Sequence, residues 1–101
     1  MDLPFLGEVL DALFVPRDFY GLGKVADEGC CIIPERDGWI VFYTERGQRS
    51  GEKRYVAFEA AARDFLMRVL HDGAVMDYAA DELHHRLRDG SFYRGDQRKP
   101  S

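Results

Sequence analysis

Apolar side chains fall at Phe58, Ala61, Ala62, Phe65, Leu66, Val69 and Leu70, the spacing that lays one continuous stripe along an α-helix. It predicts a helix from Phe58 to His71, with Glu59 near its electropositive start and Glu59/Arg63 and Asp64/Arg68 as i,i+4 pairs. A helix is also expected from Pro4 to Leu13. There Phe5, Leu6, Val9, Leu10 and Leu13 share a face, Pro4 suits a first turn, and Pro16 closes the element. A last helix, Ala74 to Arg88, follows the break at Asp72-Gly73 and sets Val75, Ala79, Leu83 and Leu87 on one side. Its acids come early and its bases late, which suits the helix dipole, and Gly90 stops it.

Between the helices the period shortens. Cys30-Cys31-Ile32-Ile33 lie in a strand expected from Gly29 to Glu35, with Pro34 hinting at an edge. Asp37-Gly38 between two apolar runs favours a type I′ hairpin. Trp39 to Glu45 is apolar on both faces and reads as the central strand. A charged loop, Arg46 to Lys53, then leads to a third strand at Arg54 to Ala57. Val15 to Gly23, with its glycines and proline, reads as an ordered loop that docks Phe19 and Tyr20 onto the sheet. The expectation is one α+β domain over residues 1–101: an N-terminal helix, a three-stranded antiparallel meander and two C-terminal helices packed on one sheet face. Residues 91–101 are expected to form a frayed tail.

Composition and charge narrow the function. A hydrophobic fraction of 46% and 13% aromatic residues suffice for a core without metal or disulfide staples. No apolar run reaches the roughly 18 residues of a membrane helix, and no secretory signal is legible, so a cytoplasmic location without membrane association is expected. The formal charge of −4 argues against non-specific nucleic-acid binding. It is unevenly spread: residues 1–30 hold six acids and two bases, and residues 59–90 seven and four, while residues 31–58 hold four and five. Acidic helical parts would steer a basic partner inward.

Candidate chemistry is sparse. Cys30 and Cys31 are adjacent, a spacing that suits neither a disulfide nor zinc, and they read as reduced core residues. His84 and His85 point about 100° apart on a helix, and His71 stands alone. No nucleophile elbow is present, and Tyr20-Gly21-Leu22-Gly23-Lys24 matches no complete phosphate loop. No catalytic residue, metal or cofactor is expected. The charged hairpin is the best recognition element, because arginine binds carboxylate or phosphate in bidentate fashion.

Gly38-Trp39-Ile40-Val41-Phe42-Tyr43-Thr44-Glu45-Arg46-Gly47, then Phe58-Glu59-Ala60-Ala61-Ala62-Arg63-Asp64-Phe65-Leu66, with Phe19-Tyr20 upstream, resembles small bacterial immunity proteins of secreted and polymorphic toxin systems. The resemblance covers residues 19–70. It implies a non-enzymatic protein that binds a cognate toxin, of nuclease or NAD-glycohydrolase type, and occludes its active site without a cofactor. The residues assigned to the partner are then Tyr20, Arg46, Arg49, Asp77, Asp81 and Glu82. Two alternatives stand beside this reading: a homodimeric structural or regulatory module joined through its sheet or last helix, and a small ligand-binding domain or enzyme.

Overall fold

The computed structural model describes residues 2–89, so the expected tail lies outside the described residues. The chain is α+β. Helix α1 (Leu3–Ala12) and a single 3-10 turn (Arg17–Phe19) precede strands β1 (Tyr20–Leu22), β2 (Gly29–Glu35), β3 (Gly38–Glu45) and β4 (Gln48–Tyr55). Helices α2 (Phe58–Leu70) and α3 (Gly73–Asp89) follow.

Helix α1 begins where Asp2 accepts the Phe5 N–H at 3.0 Å. It ends two residues before Pro16 can act. Phe14 takes φ 61°, while its N–H donates to the Asp11 carbonyl and that of Val15 to the Leu10 carbonyl. That pair of bonds is a Schellman motif with phenylalanine where glycine is usual.

The sheet has four strands in the order β1-β2-β3-β4, which corrects the three-stranded antiparallel meander. The added strand is β1, and it pairs in parallel with β2. Parallel neighbours ordinarily need a long crossover, yet residues 23–28 suffice here. The chain turns at Gly23, whose N–H donates to the Ile32 carbonyl at 2.8 Å, and folds back across β1. A Cβ on Gly21 would collide with the Lys24 carbonyl, so only glycine allows this return. The segment read as a loop at Tyr20–Leu22 is therefore partly strand.

The last strand is also corrected. Residues assigned to a charged loop form β4, which pairs with β3 from Trp39↔Tyr55 to Glu45↔Gln48 and slips between Val41 and Tyr43. The turn joining them is Arg46-Gly47, both at positive φ (53° and 81°), as a type I′ turn requires. At the other hairpin Glu35 pairs with Gly38. Arg36 and Asp37 make that turn without positive φ, so the type I′ geometry expected at Asp37-Gly38 is absent there. Gly38 is needed instead because a Cβ would strike the Tyr55 carbonyl.

One sheet face carries the main core. Leu6, Leu10, Tyr20, Ile32, Val41, Ala61, Phe65 and Val69 pack together there, with Trp39 and Phe58 rings 4.8 Å apart at its end. Helix α2 supplies the predicted stripe, although Leu70 drifts to 36% exposed. The other face holds a smaller layer of Cys31, Ile40 and Phe42 with Ala26 and Ile33. Helix α3 packs on α2 and on the connector after α1, where Tyr78 meets Phe19 edge-on at 6.1 Å. Val75 and Ala79 are buried, but Leu83 and Leu87, expected on the same side, remain 37% and 39% exposed.

Candidate partner-binding groove

A groove of 820 Å³ opens where three segments converge: the turn Arg17–Tyr20, the return loop Lys24–Gly29 and the start of α3 at Asp72–Val75. Its floor is apolar, formed by the buried Tyr20 and Val75 with Phe19 beside them, and Val25, half exposed, also lines it. Its walls carry Asp18, Asp27, Glu28 and Asp72 against two cations, Arg17 and Lys24. Arg17 is already engaged, since its Nη2 donates to Asp11 at 2.9 Å. That hydrogen bond and the Arg17 charge hold the Asp11 carboxyl below its ordinary range. Among the described residues lining the groove, four carboxylates thus stand against two cations, one of them held by Asp11.

Local chemistry fixes each wall. Asp72 Oδ1 accepts the N–H groups of Ala74 (2.9 Å) and Val75 (3.3 Å), so the residue read as a helix breaker is the N-cap of α3. The return loop is pinned from the back of the sheet. The Thr44 hydroxyl donates to the Ala26 carbonyl at 2.9 Å, with the Gly29 carbonyl at 3.3 Å. The Ala26 N–H donates to Cys31 Sγ at 3.3 Å. Asp27 and Glu28 thereby stand on a loop held at both ends, exposed to solvent.

A second polar cluster joins α2 to the sheet. Arg68 donates to Asp64 through Nε (2.9 Å) and Nη2 (3.2 Å), and the Tyr55 hydroxyl donates to the same carboxylate at 2.7 Å. Burial works to raise the Asp64 pKa, but the hydrogen bonds from Arg68 and Tyr55 outweigh it and hold the carboxyl below its usual value. Arg68 also lies over the Tyr43 ring at 5.1 Å. Beneath it, burial pushes the Cys30 thiol up to about 12 despite the nearby Arg68 charge, which leaves it an un-ionised thiol at neutral pH. Every oxygen of Asp64 is committed, so the cluster clamps α2 to β3 and β4.

The sequence-predicted residues are scattered. Tyr20 sits in the core at 7% exposed, its ring edge-on to Phe65 at 6.1 Å, and reaches the groove only as floor. Arg46 occupies the exposed β3–β4 turn. Arg49 stacks over the Phe42 ring at 4.2 Å and approaches Glu52 at 3.7 Å. Asp77 and Asp81 are exposed on α3, while Glu82 accepts from Arg86 Nε at 2.9 Å. They form no single site. Sequence reading did not single out Asp18, Asp27, Glu28 or Asp72, although the acidic excess of residues 1–30 pointed toward three of them.

Among the described residues, no three metal-ligating side chains gather, and no helix is long and apolar enough to cross a membrane. Comparison with family models, with curated proteins and with solved structures finds no match to this chain.

Proposed function

We propose that this chain is a non-enzymatic binding protein that receives a basic segment of a partner protein in the Arg17–Val75 groove. The observation that carries the reading is the groove itself, a wide cleft with an apolar floor and four carboxylates on its walls. Such a surface accelerates encounter with a cationic partner and disfavours anionic ones. Together with the resemblance of residues 19–70, it supports an immunity-type role: stoichiometric capture of a toxin's catalytic domain whose substrate cleft is basic. Arg46 and Arg49 would then lie outside the primary contact, and Tyr20 would act as floor rather than anchor.

Isothermal titration with hexaarginine, hexaglutamate as control, tests the charge logic. The expected result is salt-sensitive binding of hexaarginine alone, weakened at least about tenfold in Asp27→Lys/Glu28→Lys, the size of one or two lost charge pairs. Equal binding by the parent and this variant would remove the groove. For the immunity role, co-expression with the product of the adjacent gene should yield a stoichiometric complex that the same variant disrupts, and separate elution of the two proteins would count against it.

A further inference from the structure

Helix α3 carries an apolar line that the core does not use. Met76, Ala80, Leu83 and Leu87 are spaced four, three and four residues apart, the seam spacing of paired helices. The line runs beside the buried Val75–Ala79 edge rather than along it. Met76, Leu83 and Leu87 are 41%, 37% and 39% exposed, and Ala80 is exposed too. The seam extends about 16 Å at the α-helical rise.

We infer that this line is the contact with a second copy of the same chain, whose α3 lies antiparallel across it. Two features identify the occupant. First, the seam is self-complementary in size: turned end for end, Met76 meets Leu87 of the other copy and the small Ala80 meets the large Leu83. Second, the outer flank is acidic at one end and carries a cation, Arg88, at the other. Asp77 and Asp81 lie toward the N-terminal end, His84 and Arg88 toward the C-terminal end, and none of the four has an ion pair with another described residue. An antiparallel copy sets Asp77 and Asp81 of each helix against Arg88 and His84 of the other, twice by symmetry. A parallel copy would instead set this flank against the inner flank of the other helix, where Glu82 and Arg86 are already paired. The inner flank is already used within the chain, by Glu82–Arg86 and by Arg86 over the Phe14 ring at 5.2 Å. The seam therefore has one open side. A contact this short falls below the ~1,200 Å² of a standard interface, so the dimer is weak and governed by concentration. This inference is independent of the groove, whose lining includes Asp72, Ala74 and Val75 but no residue of the seam.

Sedimentation velocity on the full chain, from micromolar to near-millimolar, is the test. The expected result is a reversible monomer–dimer equilibrium whose dissociation constant rises at least about tenfold in Leu83→Glu, one buried leucine per copy being removed. Far-UV circular dichroism confirms that the variant keeps its helices. Should Leu83→Glu fail to fold, two surface variants decide the matter. Asp77→Arg/Asp81→Arg and His84→Asp/Arg88→Asp should each lose self-association, and their equimolar mixture should recover a heterodimer. A strict monomer at every concentration, or charge variants that pair as the parent does, would overturn the inference. So would a monomer whose Leu83→Glu variant instead loses hexaarginine, because the seam would then belong to the basic partner.

Discussion

Val41 and Phe42 are neighbours on β3 and both are fully shut off from water, yet opposite faces of the sheet hide them by different means. Val41 faces α2 and is closed in by carbon: Phe65, Ala61 and Val69 lie in its cluster. Phe42 faces the side on which no described helix packs. Its cover is the Arg49 guanidinium at 4.2 Å, a small apolar layer and a loop tied down by Thr44. The helical face is closed by packing that nothing can replace, whereas the back is closed by long side chains and a loop whose far side is the acidic wall of the groove. The main core lies on one face, and the loop that carries the acidic side of the proposed groove is tied to the other.

The comparison breaks first at the aromatic rings. Phe65→Ala should cost about 4 kcal/mol, because rigid helix and sheet cannot collapse into the void. Phe42→Ala should fall nearer ~3 kcal/mol, because Arg49 can fold down over the gap. Urea unfolding of both variants checks the order, and equal losses would show that the back cover is as stiff as the core. Next comes Asp64→Asn, expected to cost ~2 kcal/mol at neutral pH by stripping the counter-charge from a mostly buried Arg68. Asp64 has its native pKa held below the unfolded value. Its stabilisation is thus complete above the unfolded value and is lost as pH falls through the native one. The acid limb of the parent, below about pH 4, should therefore flatten in Asp64→Asn, as read by melting temperature against pH.

Thr44→Val keeps the shape but strands the Ala26 carbonyl, at ~1–2 kcal/mol. Its sharper signature is local: amides 24–29 should exchange faster with deuterium while those of α2 do not change. The smallest effect belongs to Arg49→Ala, about 1 kcal/mol for one exposed guanidinium on a ring, with no change in groove binding. A large loss of hexaarginine affinity in that variant would return the β3–β4 hairpin to the interface.

How much of this was legible in the sequence follows the same division. The helices and β3 were readable because burial imposes a period or an unbroken apolar run, and Ala61, Phe65 and Val41 lie where their spacing placed them. Strand β4 was not legible because an edge strand exposed along all but its last residue need not alternate: Arg49, Glu52, Lys53 and Arg54 read as loop, yet such charges guard an edge against pairing. Strand β1 is three residues long, and its pairing depends on Gly21 admitting a neighbouring carbonyl, a tertiary fact with no local signal. Leu83 and Leu87 carried the helical period truthfully but not its partner. The groove was the least legible feature, since Asp18, Asp27 and Asp72 come together only after the return loop and α3 fold onto one end of the sheet.

Backbone amide NMR during a hexaarginine titration decides whether recognition belongs to that groove. Binding in the groove should shift the amides of Asp18, of residues 24–29 and of Asp72–Val75, weakening as salt is added, with β4 and residues 77–88 unmoved. Shifts confined to β4 or to the outer half of α3, or none anywhere, would contradict it.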